Sequence, residues 1–141
     1  MDNYATQFGT EFEIIIRDIV SKEKILETLM SIFGIKKEEL RDRLNDGLDN
    51  SSLLYEIFPH ATHKETLIRL DFMNEKFKSY VYKDSNLKIA EKLAAFLDTE
   101  VITATHDPVA TNVPHWVSYN PQGEQKDVKE DIDENGDMYF I

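Results

Sequence analysis

The alternation of apolar and polar residues marks the first element near the start of the chain. From Phe12 to Arg17, Phe12, Ile14 and Ile16 fall on one side, and Glu13, Ile15 and Arg17 on the other. This is the period of a strand. The run Ile14-Ile15-Ile16 places hydrophobic surface on both sides, which predicts a central strand covered twice. The spacing then becomes helical. Ile25, Leu26, Leu29, Met30, Ile32 and Phe33 share one face, behind Ser21 as N-cap and ahead of Gly34 at the position after the last turn. A second, short surface helix is expected over 37–45, with only Leu40 and Leu44 as its stripe.

Residues 48–63 carry no clear period. Leu53, Leu54, Ile57 and Phe58 suit a short buried helix as well as a strand, and Pro59 is expected to end either one. Alternation returns from Thr66 to Met73, with Ile68, Leu70 and Phe72 inward and Arg69 and Asp71 outward. Phe77 to Lys83 reads as its hairpin partner across Asn74-Glu75. Asp84 or Ser85 caps a helix whose face is Leu87, Ala90, Leu93, Ala94 and Leu97, with Ile89 and Phe96 at its edges. A strand from Glu100 to Thr105 follows. Residues 106–114 read as a loop with Pro near both ends. A three-strand meander closes the pattern: His115–Tyr119, Gln125–Ile132 and Asp137–Ile141. Its turns are expected at Asn120-Pro121-Gln122-Gly123 and Glu134-Asn135-Gly136-Asp137.

This order predicts one α+β domain over residues 1–141. It has a mostly antiparallel sheet of about seven strands, with three or four helices packed on one face and a C-terminal β-meander. The expected core includes Ile14, Ile16, Leu26, Leu29, Ile68, Leu70, Leu93, Leu97 and Val101. A chain of 141 residues is long enough to bury such a core without disulfide or metal. With no cysteine there is also no thiol nucleophile or Cys-based zinc site.

Charge changes the picture more than composition does. The net charge is −11, from 16 basic and 27 acidic residues. The segment Leu93–Ile141 holds 10 of the acids and 2 of the bases, net −8. Glu124, Asp127, Glu130, Asp131, Asp133, Glu134 and Asp137 crowd the last hairpin, interrupted only by Lys126 and Lys129. Such a chain is poorly suited to hold nucleic acid or an anionic membrane by bulk charge. The start Met1-Asp2-Asn3-Tyr4 lacks a basic leader region, and no apolar run reaches membrane-spanning length. The expectation is a soluble cytoplasmic domain. Like charges on neighbouring strands repel. The cluster therefore reads either as a solubility and edge-protection device or as a surface that recruits a basic partner.

Catalytic motifs are not evident. The five glycines are isolated, which excludes a P-loop and G-x-G-x-x-G, and there is no G-x-S-x-G elbow. Asp131-Ile132-Asp133-Glu134-Asn135-Gly136-Asp137 follows the opening of a calcium loop. However, Asp137–Ile141 reads as a strand where a helix should follow, and the bidentate twelfth ligand is not supplied within Ile141. A hairpin turn explains the same letters. His60, His63, His106 and His115 read as surface histidines, His60-Ala61-Thr62-His63 being a weak metal spacing and His106-Asp107 an isolated fragment of a metal-hydrolase motif. The run Lys76–Lys83 reads as a strand with lysines outward. No cofactor, metal ligand or catalytic residue is assigned. The candidate binding residues are the aromatics at the start of the meander, Trp116 and Tyr119, with the seven carboxylates named above, as an aromatic-anchored, charge-rimmed surface.

The whole profile resembles the bacterial immunity proteins, the inhibitors encoded beside contact-dependent growth-inhibition and other polymorphic toxins. The features carrying the resemblance are small size, absence of cysteine, strong acidity, missing catalytic motifs, and the acidic meander from Trp116-Val117-Ser118-Tyr119-Asn120-Pro121-Gln122-Gly123 onward. The resemblance implies a non-enzymatic protein that binds one cognate toxin domain, often a nuclease, and blocks its site. Two other readings stay open. One is a small metal-assisted hydrolase using His60, His63, His106 or His115 with Asp107. The other is a regulatory or assembly subunit that uses a sheet edge.

Overall fold

The central strand is where the alternation places it. In the computed structural model, which describes residues 11–45, 53–60, 62–72, 85–105 and 115–141, Glu11–Ile16 forms β1. The other strands are β2 (Leu40–Asp42), β3 (Leu53–His60), β4 (Glu65–Phe72), β5 (Val101–Thr105), β6 (His115–Tyr119), β7 (Gln125–Val128), β8 (Glu130–Ile132) and β9 (Met138–Phe140). The helices are α1 (Lys22–Phe33) and α2 (Ser85–Leu97). Seven strands form one sheet in the order β2-β3-β4-β1-β5-β6-β7, while β8 and β9 form a separate two-stranded ribbon. Every pairing is antiparallel except β2 with β3.

The triple isoleucine explains the layering. Ile14 and Ile16 face both helices in the larger core, with Ile25, Leu29, Ile68, Leu70, Leu93 and Val101. Ile15 points the other way into a smaller core with Ile102, Val128 and Phe140. The helices therefore cover one face of the sheet, and β9 contributes Phe140 to cover part of the opposite face. Two α-helices are present among the described residues, fewer than the three or four expected.

Local chemistry fixes α1 as the sequence indicates. The Ser21 side chain accepts a hydrogen bond from the Lys24 N–H, and Gly34 ends the helix with a left-handed φ of 62°. In α2, Ile89 lies in the centre of the buried face, not at its edge, whereas Leu87 and Leu97 are only partly buried. Leu26 is likewise only partly buried. Leu93 is wholly enclosed. Leu93→Ala should cost about 2–5 kcal/mol in urea denaturation; a loss below about 1 kcal/mol would contradict the packing.

Three expectations require correction. The short helix over 37–45 is a 3-10 turn at Lys37–Glu39 followed by β2, which pairs in parallel with Leu53–Tyr55. Leu40 is buried and Leu44 exposed, so the two do not form a stripe. The ambiguous segment containing Leu53, Leu54, Ile57 and Phe58 is a strand. Pro59 stands inside it, opposite Thr66. Among the described residues β2 pairs only with Leu53–Tyr55 and the rest of β3 has β4 alone as its partner, the setting in which a strand tolerates proline. Finally, the middle meander strand divides at Lys129. Its first half, β7, pairs with β6 and its second half, β8, pairs with β9. The expected strand Phe77–Lys83, its turn at Asn74-Glu75 and loop 106–114 lie outside the described residues.

Candidate functional site

Most of the candidate carboxylates fall on the ribbon β8–β9 and its turn, which is anchored across the sheet face opposite α1 and α2. Reciprocal backbone hydrogen bonds between Lys129 and Ile141, at 3.1 and 2.9 Å, continue the ribbon past β8 and β9. Phe140 then packs edge-on against Trp116, with centroids 5.0 Å apart. Arg17, just after β1, donates from its guanidinium to the Phe140 carbonyl at 2.9 Å. The same guanidinium lies 3.6 Å from both Glu65 and Glu100. Burial pushes the Glu65 carboxyl up from its ordinary value, opposed by the Arg17 charge.

The far end of the ribbon is held by histidine. Lys64 adopts a left-handed φ of 54° in the β3–β4 turn, next to His63. His63 Nε2 lies 2.8 Å from Asp133 Oδ2. A carboxylate only accepts, so this nitrogen carries the proton. His60 Nδ1 accepts from the His63 N–H at 3.4 Å, and its Nε2 faces Asp137 at 4.0 Å. The His63 ring stacks between those of His60 and Tyr139, at 5.2 and 5.3 Å. His60 and His63 thus meet carboxylates of the acidic turn. His106 and Asp107 lie outside the described residues, and β6 begins at the backbone of His115. Among the described residues no group of three or more His, Asp or Glu is placed to hold a metal ion.

The acidic turn is shifted by one residue from the expected register. Gly136 N–H donates to the Asp133 carbonyl at 3.0 Å, so Glu134 and Asn135 are the central pair. Gly136 follows with φ 85°, the left-handed conformation that glycine supplies without strain. Asp133 sets this arrangement, because Oδ1 accepts from the N–H groups of Asn135 and Asp137, each at 2.9 Å. The Asp137 N–H, aided by His63 and the Asn135 N–H, holds the Asp133 carboxyl below its ordinary value.

A folded value below the unfolded one gives a definite sign. The stabilisation from Asp133 is complete above its unfolded pKa and is lost as pH falls through the folded pKa. Asp133→Asn keeps an oxygen acceptor but cannot titrate. It should therefore flatten the acid limb of ribbon stability below about pH 4, measured by Trp116 fluorescence. Glu65 acts oppositely, losing stability as pH rises above its ordinary value, and this contribution cancels in the comparison with wild type. Identical acid limbs would refute the assignment.

The remaining candidates separate by direction. Trp116 Nε1 donates to Glu130. Tyr139 OH donates to Asp131 at 3.3 Å, placing Asp131 on the other side of β8 from Glu130. Glu134 is exposed at the turn. Glu124 is exposed and accepts from Asn120 Nδ2 at 2.8 Å. Its turn is the expected one, closed by Gly123 N–H to the Asn120 carbonyl at 2.9 Å. A Cβ on Gly123 would stand 3.1 Å from the Glu91 carboxylate, so this turn abuts α2. Asp127 is exposed and shares the helix side of the sheet with Val117, its register partner. Tyr119 is buried on that side and donates to Gln125 at 2.9 Å, across the sheet from Trp116.

The structure therefore brings together Trp116, Glu130, Asp131, Asp133, Glu134 and Asp137, with Glu124, Asp127 and Tyr119 apart. Sequence reasoning missed the positions that hold the ribbon: Arg17, His60, His63, Tyr139 and Phe140. The weak signal for them was one histidine pair and two aromatics opposite an acidic strand. Among the described residues, no helix is long and apolar enough to cross a membrane. No family model, no curated protein and no solved structure matches the chain.

Proposed function

We propose that the chain is an immunity protein: a cytoplasmic, non-enzymatic inhibitor that binds a basic toxin domain, typically a nuclease, through its acidic C-terminal ribbon. The observation that carries this reading is the fixed display of carboxylates. Asp131, Asp133 and Glu134 lie on a short ribbon pinned by Phe140, Arg17 and His63, not on a loose tail. A preordered array loses less entropy on binding than a mobile one. A nuclease holds phosphates with lysine and arginine, and carboxylates at the edge of a rigid domain can occupy the same cationic cleft. Roughly 800 Å² on this protein is enough for a stable complex. No cofactor, nucleic acid or membrane enters this reading.

The test is stoichiometric inhibition. The cognate partner is identified by co-purification from the native host and its catalytic activity is titrated with the chain. The expected result is a basic protein whose activity ends at one equivalent. Failure to inhibit a stably bound partner would remove the inhibitor reading. A second reading is favoured by β7, which ends the main sheet among the described residues. An assembly subunit would pair through that edge, and a stable homodimer in light scattering with no other partner would favour it.

A further inference from the structure

We propose that Ile132 and Met138 form the apolar centre of the partner contact, seating in an apolar hollow of a basic protein surface flanked by lysine or arginine. The inference rests on the acidic ribbon being the partner surface, and it names what that surface contributes besides charge. Ile132 and Met138 are directly opposed register partners on β8 and β9. They share a side of the ribbon with Phe140 and Glu130, whose pair lies nearer the anchored end. Phe140 is 2% exposed and serves the fold, whereas Ile132 is 67% and Met138 42% exposed. The same side therefore docks at its inner end and leaves two large apolar residues in water at its outer end.

Directly opposed strand residues have Cβ atoms about 4.5–5.5 Å apart, so the pair makes one continuous patch. Among the described residues the other exposed large apolar side chains, Ile19, Leu44, Phe96 and Ile141, include no such opposed strand pair. The exposed Glu130 shares the patch's side of the ribbon, and Asp131, Asp133 and Glu134 flank Ile132 along the chain, so an apolar centre sits among acidic residues as in stable protein interfaces. Charge selects the occupant. A second copy would bring another net −11 against this rim, and an anionic lipid surface would be repelled in the same way. A basic protein is attracted before contact and gains apolar burial after it.

The intact chain is titrated with two short synthetic peptides of equal positive charge. One carries a central Leu-Phe pair between lysines, and the other a Ser-Ser pair. Methyl NMR follows Ile132 and Met138. The Leu-Phe peptide should shift both methyl signals and bind at least about tenfold more tightly than its twin, a difference of about 1.4 kcal/mol. The double variant Ile132→Ser, Met138→Ser should erase that difference and leave the twin's binding and the thermal midpoint unchanged, because neither side chain is in the core. Equal binding of both peptides would overturn the apolar centre while leaving the acidic surface intact. Binding of neither at low salt would overturn both. Broadening of the two methyl signals with protein concentration alone would assign the patch to a second copy and overturn the basic occupant.

Discussion

Phe140→Ala is expected to give the largest loss of stability of any single change in the C-terminal third, about 3–5 kcal/mol. Phe140 is the ribbon's contribution to the smaller core, where it meets Ile15, Ile102 and Val128 with Leu67 and Trp116 beside it. Truncation leaves a cavity against side chains fixed by the sheet, which close over it only in part. The neighbouring hydrogen bond from Arg17 to the Phe140 carbonyl holds backbone, so it survives the change only if the ribbon stays docked. Trp116 is the one tryptophan in the chain, and its fluorescence reports docking directly. If the ribbon detaches before the sheet melts, Trp116 should redden and the Lys129–Ile141 amides should exchange early. Stability within about 1 kcal/mol of wild type, with unaltered Trp116 emission, would mean that the ribbon does not cover this face.

Neutralising carboxylates should have the second large effect, and it should fall into two classes. Asp131 and Glu134 are exposed on the ribbon. Changing them together to Asn or Gln should slow partner association by roughly tenfold or more and weaken its salt dependence. Asp133 and Asp137 face His63 and His60. Changing these to Asn should loosen the ribbon and act mainly by speeding dissociation. Any carboxylate that is desolvated at the centre of the complex should cost about 2–5 kcal/mol when neutralised. Both blocks are measured by surface plasmon resonance against the co-purified partner.

Legibility in the sequence followed the strength of local signals. Ile14-Ile15-Ile16 announced a strand covered on both faces because alternation and apolarity coincide there. Ser21 and Gly34 bounded α1 because capping chemistry is local. Leu40 and Leu44 misled because a spacing of four also occurs by chance, and a three-residue parallel strand has no period of its own. Pro59 misled because its cost depends on whether a neighbour needs its N–H, which is a property of the sheet. Adjacent strand residues such as Glu130 and Asp131 point to opposite sides by alternation alone. Alternation could not show that the second meander strand breaks at Lys129 and crosses to the other face, since that depends on Phe140 finding Ile15 and Ile102 far away in sequence. For the same reason the histidines read as bland surface residues, although His63 meets Asp133 across 70 positions.

The central claim, that the acidic ribbon captures a basic partner, is tested most directly by the association rate constant of the purified pair as a function of salt. Stopped-flow mixing with Trp116 fluorescence measures it from about 0.01 M to about 1 M ionic strength, over which the screening length falls from about 30 Å to about 3 Å. The expected result is a steep fall for the wild-type chain and a much shallower one after Asp131 and Glu134 are neutralised. A rate that is independent of salt and identical in the two proteins would contradict it.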